Sequence, residues 1–329
     1  MRLSAGPVRT ALERLRPARA IGRLEFPYRA PTVPAGVGLP SVRSTVGADY
    51  DTDWARRFPA RWTRTVLLET VVRGAVRALA RPEVRGLDRL DDLRRRAESD
   101  DGVASVIFAA NHHSHLDSAV LLSSLPEPWR YKVFVGAAAD YFFTNKVTSA
   151  ASALALNAIP IERSKVARRS AGQAEALLRE GWSLVIFPEG GRSPDGWGQD
   201  HKGGAAWLAT RADVAVVPVH IEGTGAILAK GDKRPSPGRS TVTFGAPLRG
   251  DAGEDGRALA VRIERSIAAL ADESGSDWYT ARLRAHRDET PALTGPTGGS
   301  WRRAWARGAR RRGRASTAAE RTLRWPDLG

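Results

Sequence analysis

The sequence contains no cysteine among its 329 residues, and this absence excludes several kinds of chemistry. Disulfide bonds, thiolate nucleophiles, and zinc or iron–sulfur sites with cysteine ligands all need a side chain that is missing here. The sequence also lacks a run of about 18 apolar residues, the length that a membrane-spanning helix needs. The first residues lack the apolar stretch of a secretory signal. We therefore expect neither a transmembrane helix nor a secreted protein.

An excess of arginine gives the chain a formal net charge of +15, and the position of this charge is informative. Residues 1–31 contain seven arginines and two glutamates, and residues 291–329 contain nine arginines and two acidic residues. Because the rest of the chain is much closer to neutral, the basic surface is expected at the two ends. Such ends favour an anionic membrane surface as partner. Nucleic acid is a weaker candidate, because no groove-reading module accompanies the tail.

Composition divides the chain into three parts. Residues 1–53 are predicted to form an extended, flexible basic leader, because 27–52 are rich in proline and glycine and have no periodicity. Residues 54–290 are predicted to form a single domain. Residues 291–329 are predicted to be an arginine-rich tail that is disordered or in contact with a membrane. Solvated, partly disordered ends without any partner are the alternative.

The domain is predicted to begin with a basic amphipathic helix over residues 54–80, which ends before Pro82. Arginine recurs in this segment among tryptophan, valine and leucine. Trp54, Phe58 and Trp62 suit a helix that lies in a membrane interface. Packing of the same helix on its own domain is the alternative.

Short apolar runs alternate with helical patterns in the rest of the domain. This alternation predicts an α/β fold, with a mostly parallel central sheet covered by helices on both faces. Ligands of such sheets bind beyond the carboxyl ends of the strands. Strands are predicted at residues 103–110, 131–138, 159–162, 183–187, 214–223 and 240–248.

The segment NHHSHLD (111–117) directly follows the first of these strands and offers a possible metal site. His113, His115 and Asp117 have the His-x-His-x-Asp spacing of zinc hydrolases. The zinc signature needs another histidine after the aspartate, and this chain has Ser118 there. The remaining histidines stand in no recognisable ligand context: His201, His220 and His286.

The same segment also offers a base that needs no metal. A carboxylate on one imidazole nitrogen fixes the tautomer in which the other nitrogen accepts a proton from a hydroxyl. His112 and Asp117 can pair in this way if His112 precedes the helix and Asp117 lies one turn inside it. His113 is four residues from Asp117 and would share its helix face, so the sequence leaves this second pairing open.

A glycine-rich turn, PEGGRS (188–193), follows the strand at 183–187. Glycines allow backbone amides to approach an anion closely, and Arg192 is a planar partner for phosphate. An ordinary surface turn is the alternative. Because this turn and NHHSHLD both follow apolar strands, the sequence predicts a phosphate-bearing alcohol held beside His112.

Four ordered blocks between residues 103 and 223 resemble the glycerolipid acyltransferases, the lysophosphatidic acid acyltransferase (PlsC-type) family. The blocks are NHHSHLD, NAIPIER, FPEGGRS and VVPV. The resemblance implies that His112 is the general base on the acceptor hydroxyl and that Asp117 orients it. The resemblance implies further residues in all four blocks. The residues implied in acceptor binding are Arg163, Glu189, Gly190, Gly191 and Arg192, and those implied in supporting positions are Asn111, Ser114 and Pro218, the last on the acyl side.

The resemblance implies an O-acyltransferase that needs no cofactor or metal. It would move a long acyl chain from acyl-CoA or acyl carrier protein to a lysophospholipid or glycerol-phosphate acceptor, most of all 1-acylglycerol-3-phosphate. The expected location is cytoplasmic, peripheral on the inner face of a membrane. Gly191 replaces the usual threonine, and Asn157 and Pro160 also depart from the family pattern, which affects the identity of the acceptor. A zinc hydrolase and a non-catalytic lipid- or nucleic-acid-binding protein are the alternatives.

Overall fold

The computed structural model describes residues 47, 50–98, 105–161, 168–232, 234–251 and 253–308. All but a few residues of the predicted basic leader (1–53) lie outside this part of the chain. Arg163 and the last part of the predicted tail (309–329) lie outside it too. The three predicted domain boundaries stay predictions.

Seven strands of the described residues form one sheet in the order β1-β7-β6-β2-β5-β3-β4. The five strands from β6 to β4 run parallel, whereas β7 is antiparallel to β6 and β1 runs parallel to β7. This mostly parallel sheet confirms the predicted α/β class. The strands are β1 (Pro82–Arg85), β2 (Val106–Ala110), β3 (Val133–Ala138), β4 (Ala158–Ile161), β5 (Ser183–Ile186), β6 (Ala215–Glu222) and β7 (Ser240–Phe244).

Helices cover both faces of the sheet and join its parallel strands. The helix after each of β2, β3 and β5 makes the crossover that parallel strands require. The α-helices are α1 (Ala60–Leu67), α2 (Arg73–Ala80), α3 (Asp91–Glu98), α4 (Leu116–Ser124), α5 (Ala139–Phe142), α6 (Lys146–Leu156), α7 (Arg168–Arg179), α8 (Gly204–Ala212), α9 (Thr224–Ile227), α10 (Gly256–Gly275) and α11 (Trp278–His286).

The core has two layers, one on each face of the sheet, and β2 contributes to both. Ile107 and Ala109 belong to one apolar cluster, and Phe108 belongs to the other. Phe108 packs edge-on against Trp129 and Phe244, with ring centroids 5.9 and 6.1 Å apart. A strand buried on both faces carries apolar residues at every position, which explains the unbroken run at the end of β2.

The predicted helix over residues 54–80 is interrupted in the structure. A short 3₁₀ turn (Asp53–Arg56) precedes Pro59, which is the N-cap of α1. Proline has no backbone N–H to continue a helix, so the long helix begins after it. A π-helical turn (Leu68–Val72) then joins α1 to α2.

This helical segment has one buried and one exposed apolar face. Its inner side chains, Leu68 and Val76, belong to the core. Phe58 is 86% exposed and Trp62 65% exposed on the outside. The inner face of this helical segment thus packs on the domain, as the alternative to a membrane anchor expected. The outer face does not pack on the described part of the domain. Among the described helices, none is both long and apolar enough to span a bilayer.

The C-terminal part of the described chain is folded against the domain. Residues 300–308 are helical, and the segment from 291 onward contacts the loop that follows β5. The structure thus describes residues 291–308 as packed against this loop, and the predicted arginine-rich tail that is disordered or in contact with a membrane stays a prediction. Asp195 in that loop forms an ion pair with Arg303, and Trp197 forms an apolar contact with Gly295. The high arginine content of residues 291–308 did not reveal these contacts.

Candidate active site

Two loops meet at the carboxyl edge of the sheet. The first follows β2 and contains His112, and the second follows β5 and contains the glycine-rich turn. Because β2 and β5 are parallel neighbours, both loops leave the sheet at the same edge. The two loops touch, since the backbone N–H of Ser193 donates a hydrogen bond of 2.9 Å to the carbonyl of His112.

His112 and Asp117 are paired in the structure. His112 Nδ1 lies 2.9 Å from Asp117 Oδ2, with His112 before α4 and Asp117 in its first turn. A carboxylate only accepts hydrogen bonds, so Nδ1 carries the proton and Nε2 keeps its lone pair. The His112 ring also stacks on Phe187 at 4.1 Å between centroids. The pair therefore presents an oriented imidazole whose Nε2 is able to accept a proton.

Backbone amides fix the Asp117 carboxylate, which is completely buried. The N–H groups of His113 and Ser114 donate to Oδ2 at 2.7 and 2.8 Å. These donors lie in the turn just before α4, which begins at Leu116. A buried anion is retained because it receives several hydrogen bonds.

The alternative pairing of His113 with Asp117 does not form through the side chain. The backbone N–H of His113 donates to Asp117, and the imidazole Nδ1 of His113 lies 3.4 Å from the Asn111 amide. His115 instead pairs with Tyr141, whose hydroxyl lies 3.0 Å from Nε2. The three predicted zinc ligands thus point to different partners. Across the described residues, no group of three or more potential ligands is arranged to hold a metal ion.

Asn111 and Ser114 hold the first loop from below. The Asn111 side chain accepts from the N–H of Ile221 at 2.7 Å and donates to its carbonyl at 2.8 Å. Through these two bonds, the Asn111 side chain continues the hydrogen bonding between β2 and β6 beyond the end of β2. Ser114 donates to the carbonyl of Leu228 at 2.7 Å. Both side chains therefore hold the backbone around the first loop, and the supporting roles that the resemblance implied stay predictions.

Glu189 lies beneath the glycine-rich turn with both carboxylate oxygens occupied. It accepts from the backbone N–H of His112 at 2.9 Å and from that of Gln199 at 3.1 Å. Burial raises the pKa of Glu189 to about 7, although these two bonds act in the opposite direction. Glu189 therefore braces the two loops against each other. A direct contact with substrate, expected by resemblance, stays a prediction.

The two glycines of the turn differ in what they require. Gly190 has a φ of +68°, a conformation that favours glycine. A Cβ on Gly191 would meet only the Gln199 side chain, at 3.9 Å. The structure therefore has room for a Cβ at Gly191, where the resemblance leads us to expect threonine.

Arg192 lies at the mouth of the site and faces an aromatic side chain. Its guanidinium is 5.9 Å from the centre of the Tyr141 ring, which stacks on His115. Burial, followed by the nearby Arg192 and His112 side chains, lowers the pKa of His115. Among the described residues, no carboxylate forms an ion pair with Arg192, so its charge is available to an anion.

Pro218 does not lie at the edge with the other predicted residues. It is buried in the middle of β6, opposite Ala109 of β2. Its carbonyl accepts from the N–H of Gly245 at 2.8 Å. Pro218 is thus part of the sheet that supports the site, and its association with the acyl chain stays a prediction.

Sequence reasoning missed Tyr141, Phe187, Ser193 and Gln199 as parts of the site. Phe187 ends an apolar run, and Ser193 and Gln199 are ordinary loop residues by type. Tyr141 follows β3, which ends at the same edge, so its position after an apolar strand was the one available signal. The other three act by contacts that the sequence does not encode locally.

Comparisons with known proteins find relatives over part of the chain. Residues 81–222 match the family model described as Acyltransferase. The chain is 31% identical over 129 residues to the chloroplastic 1-acyl-sn-glycerol-3-phosphate acyltransferase LPAT1 of Arabidopsis thaliana, covering 39% of this chain and 34% of the relative. It is 31% identical over 106 residues to 1-acyl-sn-glycerol-3-phosphate acyltransferase alpha of Ovis aries, covering 32% and 37%. The predicted family resemblance is confirmed over the matched segment.

The chain spans about a third of the length of these curated relatives. A solved structure, the PlsC 1-acyl-sn-glycerophosphate (LPA) acyltransferase of Thermotoga maritima, aligns with a TM-score of 0.49 and 21% identity. The alignment covers 68% of this chain and 83% of that chain.

Proposed function

Starting from the match of residues 81–222 to the Acyltransferase family, we propose that the protein is an O-acyltransferase that acylates 1-acylglycerol-3-phosphate to give phosphatidic acid. The acyl donor is a thioester, acyl-CoA or acyl carrier protein. The observation that carries this proposal is the buried Asp117 carboxylate, 2.9 Å from Nδ1 of His112. The matched relatives bear the name of this activity.

In the proposed reaction His112 acts as the general base. Its Nε2 takes the proton of the acceptor hydroxyl as the oxygen attacks the thioester carbonyl. The tetrahedral intermediate then collapses, the carbon–sulfur bond breaks, and the imidazolium returns the proton to the departing thiolate. Asp117 stabilises the imidazolium between these steps. No covalent enzyme intermediate is required, which is consistent with a chain that has no cysteine.

Arg192 is the proposed phosphate partner of the acceptor. The guanidinium lies beside Tyr141 and has no carboxylate partner among the described residues. An arginine binds phosphate through two parallel hydrogen bonds, which fixes the direction of the glycerol backbone as well as its distance. Its contribution is to hold the acceptor hydroxyl near His112.

The proposed enzyme binds the inner face of an anionic membrane at its periphery. Phe58 and Trp62 form an exposed aromatic face on the N-terminal helical segment, which also carries several arginines. Tryptophan and arginine together suit the boundary between headgroups and acyl chains. Trp62→Ser should weaken binding to anionic vesicles, and Trp278→Ser, which changes an exposed tryptophan of α11, serves as the matched control. Equal binding by both variants would contradict this orientation.

The release of free CoA tests the proposed reaction directly. The protein has no thiol of its own, so a thiol reagent reports only the CoA released from acyl-CoA. We expect turnover with 1-acylglycerol-3-phosphate that falls about 10²- to 10⁴-fold in His112→Ala. His113→Ala, which removes the neighbouring imidazole, should retain most of the activity.

Two other outcomes would replace the proposal. Acyl transfer that survives in His112→Ala would exclude His112 as the base, and transfer absent from the wild-type protein with every lysolipid would favour a non-catalytic lipid-binding protein. Stoichiometric zinc in the purified protein, lost in His115→Ala, would favour the hydrolase alternative.

A further inference from the structure

The loop after β5 is in contact with the C-terminal strap, a name used here for residues 291–308. Asp195 of this loop and Arg303 of the strap form a two-point ion pair, with nitrogen–oxygen distances of 2.5 and 3.2 Å. Arg307 donates to the backbone carbonyl of Asp195 at 2.8 Å. Two arginines thus hold one loop residue by its side chain and by its backbone.

The strap is itself shaped to make this contact. Arg303 also donates to the carbonyls of Thr294 and Pro296, at 3.0 and 3.2 Å, so one guanidinium ties the strap to itself and to the loop. A planar group with five donors is suited to such a junction, and lysine cannot reproduce it.

A second set of contacts surrounds Trp197, which is buried between the loop and the strap. Its indole N–H donates to the carbonyl of Arg303 at 3.1 Å. Gly295 approaches the indole so closely that a Cβ there would lie 2.3 Å from the ring. The N–H of Gly198 donates to the carbonyl of Leu293 at 2.9 Å. The loop is therefore held along residues 195–198.

The contacts continue from the strap to the candidate base. Ser193 accepts a hydrogen bond of 2.6 Å from the N–H of Gly196, next to Asp195. The N–H of Ser193 donates to the carbonyl of His112 at 2.9 Å. Arg192, the proposed phosphate partner, directly precedes Ser193 and so belongs to the same held loop. A shift of the loop would therefore move Arg192 relative to His112.

We propose that Arg303 and Arg307 are positioning residues for acceptor binding, and that the C-terminal strap fixes the loop that carries Arg192. This inference rests on the proposed function and adds to it a part of the chain outside the matched segment, residues 81–222. Neither arginine touches the substrate. They act by setting the distance between Arg192 and His112, and the binding of a phosphate by one arginine depends on that distance.

The outer side of the strap is separate from this contact. Trp301 is 76% exposed and Trp305 67% exposed, one helical turn apart. Arg302 is exposed as well and makes no ion pair with a described residue. Arg302→Ala therefore removes the same charge from the same helix as Arg303→Ala, without removing a contact to the loop.

Steady-state kinetics on the full chain test the proposal, with a water-soluble short-chain acyl-CoA and varied 1-acylglycerol-3-phosphate. Arg303→Ala should raise the KM for the acceptor about tenfold, with kcat and the KM for the donor changed about twofold or less. Arg302→Ala should match the wild type, and Arg303→Lys should fall in between. Arg303→Ala combined with Asp195→Ala should be no worse than either alone.

Hydrogen exchange supplies a test that does not depend on activity. The amides of Gly196 and Gly198 should exchange faster in Arg303→Ala than in Arg302→Ala, with exchange in the core strands unchanged. If the wild type transfers no acyl group, the proposed function fails while this measurement still decides whether the strap holds the loop. Equal acceptor KM or equal loop exchange in the two alanine variants would overturn the proposal. A fall in kcat together with an equal rise in the KM values of both substrates would show a general structural role, and this result would overturn the proposal too.

Discussion

The loop after β2 and the loop after β5 lie side by side. Residues close in the sequence hold the first loop, whereas residues far away in the sequence hold the second. In the first loop, Asp117 accepts hydrogen bonds from groups three, four and five residues away. In the second loop, Asp195 is held by Arg303 and Arg307, more than a hundred residues further along the chain. The candidate base is thus organised locally, whereas the loop with the candidate phosphate partner depends on a distant segment.

This difference separates the two tasks of the proposed enzyme. The geometry of proton transfer is fixed by a short segment whose carboxylate is fully buried. The position of the acceptor depends on a more exposed loop and on its partner. We expect changes in the first loop to lower turnover and changes in the second to alter the selection and binding of the acceptor.

The largest expected effect comes from breaking the local loop with Asp117→Asn. A neutral amide oxygen in the place of Oδ2 accepts more weakly from the three groups that now contact it and does not stabilise the imidazolium, and its NH2 group would stand where Oδ1 is buried without a partner among the described residues. We expect kcat to fall about 10²- to 10⁴-fold. The free energy of unfolding should fall by about 1–3 kcal/mol. Near wild-type turnover in the folded variant would show that Asp117 does not orient the base.

Arg192→Ala should weaken binding of the acceptor, and we expect this effect to be smaller than the loss of kcat in Asp117→Asn. A charged hydrogen bond is worth about 1.5–3 kcal/mol, so the KM for the phosphate-bearing acceptor should rise about 10- to 100-fold. Arg192→Lys should recover part of this loss, because it keeps the charge and loses the fork. The KM for acyl-CoA serves as the internal control. A rise confined to the donor would place Arg192 on the other substrate.

The two glycines of the second loop offer a matched pair of changes. Gly191→Thr has room for the added Cβ, so the free energy of unfolding should change by about 0.5 kcal/mol or less. Gly190→Thr forces a β-branched residue into a positive φ and should cost about 1–2 kcal/mol. In Gly191→Thr, the ratio of kcat/KM between lysophospholipid acceptors should shift several-fold, because a hydroxyl is added beside the acceptor. Unchanged ratios would mean that this position does not contact the acceptor.

The smallest effect is on stability, at His201 near the end of the second loop. Both ring nitrogens are buried and have no hydrogen-bond partner among the described residues, and burial lowers the pKa of His201 to about 4. The unfolded chain therefore binds a proton more readily between pH 6.5 and 4, and stability is lost as the pH falls through this range. His201→Phe should melt higher than the wild type near pH 4 and about equally at pH 7. A melting difference independent of pH would contradict this assignment.

The first loop could be predicted from the sequence because its parts are close together. An unbroken apolar run ends at Ala110, His112 follows it, and Asp117 begins the next helical pattern. The choice between His112 and His113 needed the structure, because helix spacing alone favours His113. The start of α4 at Leu116 leaves His112 on the turn, where a partner five residues away is within reach.

The second loop and its surroundings were harder to predict for physical reasons. Strand β1 is four residues long and begins with proline, so no periodicity identifies it, although an edge strand tolerates proline at its start.

The strap has the composition of a solvated tail, and its structure depends on Asp195 and Trp197, far away in the sequence. The glycine-rich turn was predicted, whereas the inward position of Glu189 depends on backbone donors from both loops.

The central claim is that His112 and Asp117 act as one catalytic unit, and a double-mutant cycle in kcat for acyl transfer tests it most directly. If Asp117 acts through His112, the combined His112→Ala and Asp117→Asn variant should be no slower than His112→Ala alone. A combined variant slowed by the product of the two separate losses would contradict the claim, because the two residues would then contribute independently.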